Sequence, residues 1–165
     1  MGEQRKVIGA GLVFLGSGCG SALTRQQRDF LAAAKPEELY PLEKLLDMLA
    51  TAEAENPDLI YSTGRRWGSA VHSEMVSRGA KSVKEALELV AAVYLEHHQG
   101  DVGKLVLEDA GDRSVLLRNL GPYPSALIAG AYEALALAMG ADDVSVEPQA
   151  EPNCHRISWQ EGDSD

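Results

Sequence analysis

The sequence is poor in aromatic residues, in cysteine and in positive charge, and each shortage excludes a class of protein. Aromatic residues make up 5% of the 165 positions, so a core has to be built from Leu, Val and Ala, with Trp67 and Trp159 as rare large side chains. The two cysteines, Cys19 and Cys154, lie far apart in the sequence. They provide neither a disulfide framework nor a zinc knuckle, which favours a reducing, cytoplasmic location.

Charge and apolar run length exclude two kinds of partner. The formal net charge is -10 and the isoelectric point is near 4.8, so a nucleic-acid surface is not expected. The longest apolar run, residues 124–139, would form a helix about 24 Å long, which is shorter than a hydrocarbon layer of about 30 Å. It also contains Glu133. We therefore expect no membrane-spanning helix.

The first twenty residues contain a basic pair, an apolar run over 7–15 and then Cys19, an order that resembles a lipoprotein signal. The match is poor because Gly16 stands where a leucine is expected. The sequence leaves the role of Cys19 in such a signal open, and we favour an opening strand over 7–15 followed by a glycine-rich loop over 16–21. A dinucleotide-binding loop is not indicated, because Phe14 occupies the position of its third glycine.

Capping signals and apolar spacing predict four helices before residue 100. Their starts are marked by Thr24 with Gln27, by Tyr40-Pro41, by Asn56-Pro57, and by Ser82 with Glu85. The third helix is expected to end near Ser77, and the fourth is expected to end at Gly100.

Beyond residue 103 the apolar spacing changes from about four residues to two, which indicates strands. The predicted elements are strands over 104–108 and 113–119, a helix over 124–139, and strands over 144–147 and 155–159. Because this helix is apolar on nearly all sides, it must be covered on nearly all sides, and we expect it at the centre. The order predicts an α+β fold, in which N-terminal helices pack with an antiparallel β-β-α-β-β unit. We assign residues 1–160 to one domain and 161–165 to an acidic tail.

The third predicted helix gives the first indication of a pocket. Gly64 and Gly68 share its apolar stripe with Trp67. Glycine lowers helix propensity, so these positions make sense only where a backbone or a ligand packs very close. In the ligand hypothesis the glycines leave room beside Trp67, and Tyr61 and His72 orient a mostly apolar guest. In the packing hypothesis the same glycines admit a neighbouring helix.

No side-chain pair indicates catalysis or metal binding. Cys154 and His155 are neighbours on a predicted strand, so their side chains point to opposite faces and cannot form an activated thiolate pair. We interpret His97 and His98 as a favourable cap at the negative end of a helix dipole. No catalytic residue, metal or cofactor is expected.

Five short stretches and the order of the elements resemble one superfamily of domains. The stretches are Tyr40-Pro41-Leu42-Glu43, Gly64-Arg65-Arg66-Trp67-Gly68, Gly130-Ala131-Tyr132-Glu133, Met139-Gly140-Ala141 and Ile157-Ser158-Trp159. The superfamily joins 4-vinyl-reductase-like domains, haem-dependent nitric-oxide-binding domains and transport-complex subunits of related fold. Within it, the chain is most similar to a group of small uncharacterised bacterial proteins. The resemblance covers nearly the whole chain and implies that residues 7–15 belong to the folded domain.

The resemblance implies three uses of the fold: sensing small apolar or aromatic ligands, binding haem, and building dimeric scaffolds. In the haem-binding members a histidine on the helix before the first hairpin ligates iron, and a Tyr-x-Ser-x-Arg run at the end of that hairpin holds the propionates. His97 and His98 stand on the corresponding helix, but the hairpin end, residues 117–121, lacks the run. Aromatic-sensing relatives often have a cysteine-rich zinc site near the last hairpin, where only Cys154 is present.

The expected function is therefore a non-catalytic sensory or regulatory domain that binds a small apolar or aromatic molecule. The alternatives are a homodimeric interaction scaffold, haem binding, and an enzymatic use suggested only by the reductase name. We expect a homodimer, and the sequence leaves a further protein partner open.

Overall fold

Six helices and seven strands follow one another through residues 4–162, the part of the chain that the computed structural model describes. In chain order they are β1 (Lys6–Ile8), α1 (Gly9–Gly18), α2 (Arg25–Ala33), β2 (Leu39–Pro41), α3 (Leu42–Glu55), α4 (Pro57–Ser77), α5 (Val83–Glu96), β3 (His98–Gln99), β4 (Leu105–Asp109), β5 (Ser114–Asn119), α6 (Ser125–Ala138), β6 (Ala141–Pro148) and β7 (Cys154–Glu161). The α+β class is confirmed. Of the predicted acidic tail, residues 163–165 lie outside the described residues.

Two of the predicted helix starts show how the local sequence fixes a boundary. The Thr24 hydroxyl accepts a hydrogen bond from the Gln27 backbone N–H at 3.2 Å, and the Gln27 side chain accepts one from the Thr24 N–H at 3.0 Å. This is the complete capping box that the sequence predicts for α2. At α5 the Ser82 hydroxyl accepts from the Glu85 N–H, but the Glu85 carboxylate accepts from the Lys81 N–H. Only the first of the two hydrogen bonds of a capping box is therefore present at α5.

The N-terminal segment differs from its prediction. The prediction of a strand over 7–15 is wrong for most of its length. Strand β1 covers only Lys6–Ile8, and the next ten residues form α1. Leu12 and Leu15 are buried on this helix, so the segment belongs to the folded core, as the resemblance implies.

Close packing explains why a glycine-rich segment is helical here. A Cβ atom on Gly9 would lie 1.9 Å from the Lys35 carbonyl oxygen, and one on Gly16 would lie 2.6 Å from Leu31 Cδ2. Since real Cβ contacts are longer than 3.0 Å, only glycine fits against the Lys35 backbone at position 9, and at position 16 any larger residue would displace the Leu31 side chain. Tertiary contact thus outweighs the low helix propensity of glycine.

The strands form two antiparallel sheets. The first has the order β2-β1-β3, and the second has the order β4-β5-β7-β6. In the second sheet, Ile157 on β7 lies opposite Val115 on β5 and Val146 on β6. The β-β-α-β-β unit is therefore confirmed, with strands β6 and β7 longer than predicted. The turn between β4 and β5 contains Gly111 at φ 136°, a backbone angle that favours glycine.

Helix α6 lies at the centre, as predicted, with nine of its fourteen residues buried. It packs against α4 with almost no side chain between the two backbones. A Cβ atom on Gly64 would lie 2.0 Å from the Leu127 carbonyl oxygen, and one on Gly68 would lie 2.0 Å from the Ala131 carbonyl oxygen. From the other side, a Cβ atom on Gly130 would lie 2.3 Å from the carbonyl oxygen of residue 61. The packing hypothesis thus explains both α4 glycines.

A buried hydrophobic cluster runs from β1 and the N-terminal helices through α6 to β7, where Ile157 and Trp159 are buried. Among the helices of residues 4–162, none combines the length and the apolar composition of a membrane span.

Candidate functional site

A small cavity lies where the N-terminal helices meet α6 and the start of β4. Its volume is about 60 Å³, and its wall is drawn from β1, α1, α4, α5, β3, β4, α6 and the loop before α6. Most of the wall surface is apolar, and it includes no Asp, Glu, Lys or Arg side chain. Its polar members are Tyr94, His97, His98, Tyr123 and Tyr132. This is an apolar cavity with a few convergent polar groups, the usual composition of a small-molecule site.

The structure brings only part of the predicted site to this cavity. Trp67 and Gly64 lie in the wall, whereas Tyr61, Gly68 and His72 do not. The Tyr61 hydroxyl instead donates a hydrogen bond to a carboxylate on α6, and Gly68 lies against the α6 backbone. At about 100° of rotation per residue, Tyr61 and His72 lie roughly 120° to 140° around α4 from Trp67. The stripe that contacts α6 separates them, so these three side chains do not converge on one guest.

His98, just beyond the end of α5, uses both of its ring nitrogens in hydrogen bonds. Its Nδ1 lies 2.6 Å from the Tyr94 carbonyl oxygen, and its Nε2 lies 2.7 Å from the Tyr123 hydroxyl. A carbonyl can only accept, so Nδ1 carries the proton and Nε2 accepts from the Tyr123 O–H. The contact with the Tyr94 carbonyl confirms the expected position at the helix end. Burial lowers the pKa of His98 and outweighs the raising effect of that hydrogen bond, so the imidazole is neutral.

Two tyrosines pack around this imidazole. The Tyr94 ring stacks on His98 with 4.4 Å between ring centroids, and the Tyr123 ring meets both of them edge-on. The Tyr94 hydroxyl donates to the Val102 carbonyl oxygen at 2.5 Å. Burial raises the pKa of Tyr94 to about 12 and that of Tyr123 well above its ordinary value. Both hydroxyls therefore remain protonated donors at neutral pH.

Asn119 holds Tyr123 in this position. The buried Asn119 amide donates from Nδ2 to the Tyr123 carbonyl oxygen at 2.9 Å, and its Oδ1 accepts from the Gly121 N–H at 3.1 Å. A Cβ atom on Gly121 would lie 2.7 Å from the Tyr94 hydroxyl, so the loop passes close to α5. This loop lies at the end of the β4–β5 hairpin, where the sequence lacks a Tyr-x-Ser-x-Arg run.

Tyr132 on α6 is the fifth polar member of the wall. It is 1% exposed, and its hydroxyl has no hydrogen-bond partner. Burial raises its pKa, so the hydroxyl is protonated at neutral pH. An unpaired buried polar group of this kind costs about 1 to 3 kcal/mol.

Sequence reasoning did not select Tyr94, Tyr123 or Tyr132 as site residues. One local signal was available, because Tyr94 and His98 are four residues apart and therefore lie on one side of the end of α5. The contacts of Tyr123 and Tyr132 depend on tertiary packing and leave no comparable local pattern.

The cysteines and acidic residues form no second candidate site. Within residues 4–162 no group of three or more His, Cys, Asp or Glu side chains is placed to hold a metal ion. Cys154 is buried and His155 is half-buried on adjacent positions of β7, as the strand pattern predicts. Cys19 is fully buried, and this burial raises the pKa of its thiol despite a lowering contact with Thr63.

Solved structures of H-NOX domains share this fold. A Cs H-NOX mutant with an unnatural amino acid matches with a TM-score of 0.63 at 9% identity, over 96% of this chain and 99% of that chain. An oxygen-binding H-NOX domain related to soluble guanylate cyclases matches with a TM-score of 0.56 at 12% identity, over 94% of this chain and 89% of that one. An H-NOX protein from K. algicida matches with a TM-score of 0.55 at 11% identity, over 92% and 89%.

These likenesses define the class of fold, which is that of the haem-nitric-oxide-binding domains. No family model and no curated protein matches the sequence. At such low identities the comparison establishes the architecture and leaves function to the residues of this chain. The resemblance to 4-vinyl-reductase-like domains stays a prediction.

Proposed function

We propose that this chain is a non-catalytic sensory or regulatory domain that binds a small, mostly apolar or aromatic molecule in the cavity beside Trp67. The observation that carries the proposal is the apolar wall around a neutral His98–Tyr123 pair. A charged guest would lose its hydration without gaining an opposite charge, because no charged side chain lines the described wall. The guest is therefore neutral.

The size of the cavity limits the guest further. A volume of about 60 Å³ is less than half of the roughly 150 Å³ that accommodates benzene in an engineered protein cavity. A guest of a few non-hydrogen atoms fits without rearrangement, whereas an aromatic ring requires a side chain to move. Trp67, His97 and His98 are the partly exposed large members of the wall. His98 is held by two hydrogen bonds, so Trp67 and His97 are the ones with room to move outward. Binding of a ring must then change the environment of Trp67.

Haem is the ligand that the shared fold suggests, since one of the similar structures concerns haem distortion in the H-NOX family. The residues of this chain do not fit it. Of the two histidines in the wall, His97 and His98, the Nε2 atom of His98 already accepts the Tyr123 hydrogen bond and is not free to ligate iron. The wall offers no Arg or Lys for the propionates, and its 60 Å³ is far below the roughly 300 to 1,000 Å³ of ordinary ligand pockets. The proposed ligand is therefore not haem.

The first test is to identify any molecule that the protein retains during purification. Mass spectrometry of the supernatant after denaturation should show a small neutral molecule in stoichiometric amount. A haem spectrum in the purified protein would contradict the proposal directly.

The second test is a fluorescence titration with one tryptophan at a time. Trp159→Phe leaves Trp67 as the reporter, and its emission should change saturably with small aromatic ligands. Trp67→Phe leaves only Trp159, which does not line the cavity, and serves as the matched control, which should not respond. Val90→Phe enlarges a buried wall residue and should abolish the response in the Trp159→Phe background, with folding checked by circular dichroism. A panel of small aromatic ligands that gives no saturable response would refute the proposal.

A further inference from the structure

An open groove lies on the surface between α1 and α4, and it shares no residue with the cavity wall. It is lined by Phe14, Arg65, Arg66, Ser69 and Ala70. The four residues from α4 are exposed, and Phe14 on α1 is partly exposed. The groove is therefore accessible to a partner as large as another protein chain.

This part of the surface lacks negative charge, although the chain as a whole is acidic. The sequence contains 25 Asp and Glu residues, yet none falls in residues 7–24, which include α1, or in residues 59–73, the middle of α4. Arg65 and Arg66 are the only Asp, Glu, Lys or Arg residues of the two segments. Because α1 packs against α4, the segments form one positively charged face on a molecule of net charge -10.

Arg65 and Arg66 have no partner in the part of the chain that the structure describes. Every other arginine forms an ion pair or a side-chain hydrogen bond, and these two form neither. The Glu133 carboxylate on α6 accepts from Tyr61, four residues before Arg65, and forms no ion pair with Arg65. The Arg66 guanidinium instead lies over the Phe14 ring, with 5.7 Å between its Cζ atom and the ring centroid. Stacking leaves its N–H donors available.

Two unpaired guanidinium groups beside an aromatic ring match an acidic guest with some apolar surface. Arginine binds carboxylates through paired, charge-assisted hydrogen bonds. The partly exposed Phe14 ring offers an apolar contact beside them. An acidic partner would be attracted to this face and repelled by the acidic remainder of the molecule, so charge orients the encounter.

We propose that this groove docks an acidic segment of another protein, whose carboxylates pair with Arg65 and Arg66 and whose apolar side chain packs on Phe14. A membrane or a nucleic acid fits less well. Clusters that bind anionic membranes have roughly four to eight Lys or Arg residues, and an extended anionic surface would also meet the carboxylates around the face. The proposal concerns a surface outside the cavity, so it is independent of the ligand-binding function.

Selection from a phage-displayed library of random peptides tests the proposal. The unmodified protein should enrich peptides that combine several Asp or Glu residues with an apolar residue. Fluorescence anisotropy of a labelled copy of the most enriched peptide then gives a dissociation constant. Arg65→Glu with Arg66→Glu should weaken that binding about tenfold or more, the effect of losing a charge-assisted hydrogen bond. Raising NaCl to about 0.5 M should also weaken it, because salt screens exposed charges.

Lys81→Glu with Lys104→Glu is the matched control. It changes the net charge by the same amount at two exposed lysines outside the groove, so the affinity should change little in comparison. Ser69→Glu keeps both arginines and places a carboxylate in the groove, one turn from Arg65, so it should weaken binding too. It takes the place of the double arginine variant if circular dichroism shows that this variant does not fold.

Selected peptides without acidic enrichment, or equal affinities of the two double variants, would overturn the proposal. Two further results would assign the groove to another occupant and overturn it as well. If light scattering shows that Arg65→Glu with Arg66→Glu dissociates a homodimer, the occupant is a second copy of this chain. If phosphatidylserine vesicles sediment the unmodified protein but not that variant, the occupant is a membrane. None of these outcomes bears on ligand binding in the cavity.

Discussion

Alanine substitutions at two helical glycines should change stability in opposite directions. A Cβ atom on Gly68 would lie 2.0 Å from the Ala131 carbonyl oxygen, so α4 and α6 would have to move apart by about 1 Å. A Cβ atom on Gly11 would lie 3.7 Å from its nearest neighbour, Val7 Cγ2, which is ordinary van der Waals contact. Both substitutions gain helix propensity, but only Gly68→Ala displaces a backbone.

The expected magnitudes follow from those contacts. Replacing a helical glycine by alanine gains up to about 1 kcal/mol in helix propensity. Overpacking costs about 1 to 3 kcal/mol, and the upper part of that range applies at Gly68 because Gly64 and Gly130 make close approaches in the same helix pair. Gly68→Ala should therefore destabilise by about 1 to 2 kcal/mol net. Gly11→Ala should stabilise by about 0.5 to 1 kcal/mol.

Thermal and urea unfolding of the two variants beside the unmodified protein provide the assay. For a chain of this size, 1 kcal/mol corresponds to about 2 to 4 °C in melting temperature. The urea midpoints should shift in opposite directions with an unchanged slope, which would show that stability and not denatured-state compactness has changed. A Gly68→Ala protein as stable as the unmodified chain would refute the backbone-to-backbone packing of α4 and α6.

Two further predictions concern pH and assembly. Burial lowers the pKa of His98 and of His155 in the folded chain, so the unfolded state binds more protons as the pH falls below about 6.5. Melting temperature should therefore drop between pH 7.5 and 5.5, and His98→Gln should reduce the slope of that drop; an unaltered slope would contradict a buried neutral His98. Light scattering at micromolar concentration should give a homodimer, twice the 17.7 kDa chain mass, and a stable monomer would contradict that prediction.

Elements whose boundaries are set by residues close to them in the sequence could be predicted. The start of α2 depends on Thr24 and Gln27, which are close in sequence and bond directly to each other's backbone. The end of α6 depends on Gly140, whose φ of 92° few other residues adopt. The strands on either side of α6 could also be predicted, because one face of their sheet is buried and the other is not, which gives an apolar residue at every second position.

The N-terminal helix and most of the site could not be predicted, because distant parts of the chain decide them. Gly9 and Gly16 suggest a strand or a loop until the carbonyl of Lys35 and the side chain of Leu31 are known to lie against them. For the same reason the stripe on α4 indicated close packing without showing whether a helix or a ligand fills the space. Trp67 and Gly64 have that local signal and lie in the cavity wall, whereas the contacts of Tyr132 appear only in three dimensions.

The residues that line the cavity are spread along the sequence from Val7 to Tyr132. The cavity therefore exists only when the whole domain is folded, and binding of a guest is coupled to folding. The unfolded chain has no such wall, so a molecule that occupies the cavity binds the native state alone. At a hundred times its dissociation constant it would add about 2.7 kcal/mol to the free energy of unfolding by mass action. Resistance to heat or to proteolysis in a mixture of metabolites therefore reports occupancy without any label, and it does so for ligands that leave the fluorescence of Trp67 unchanged.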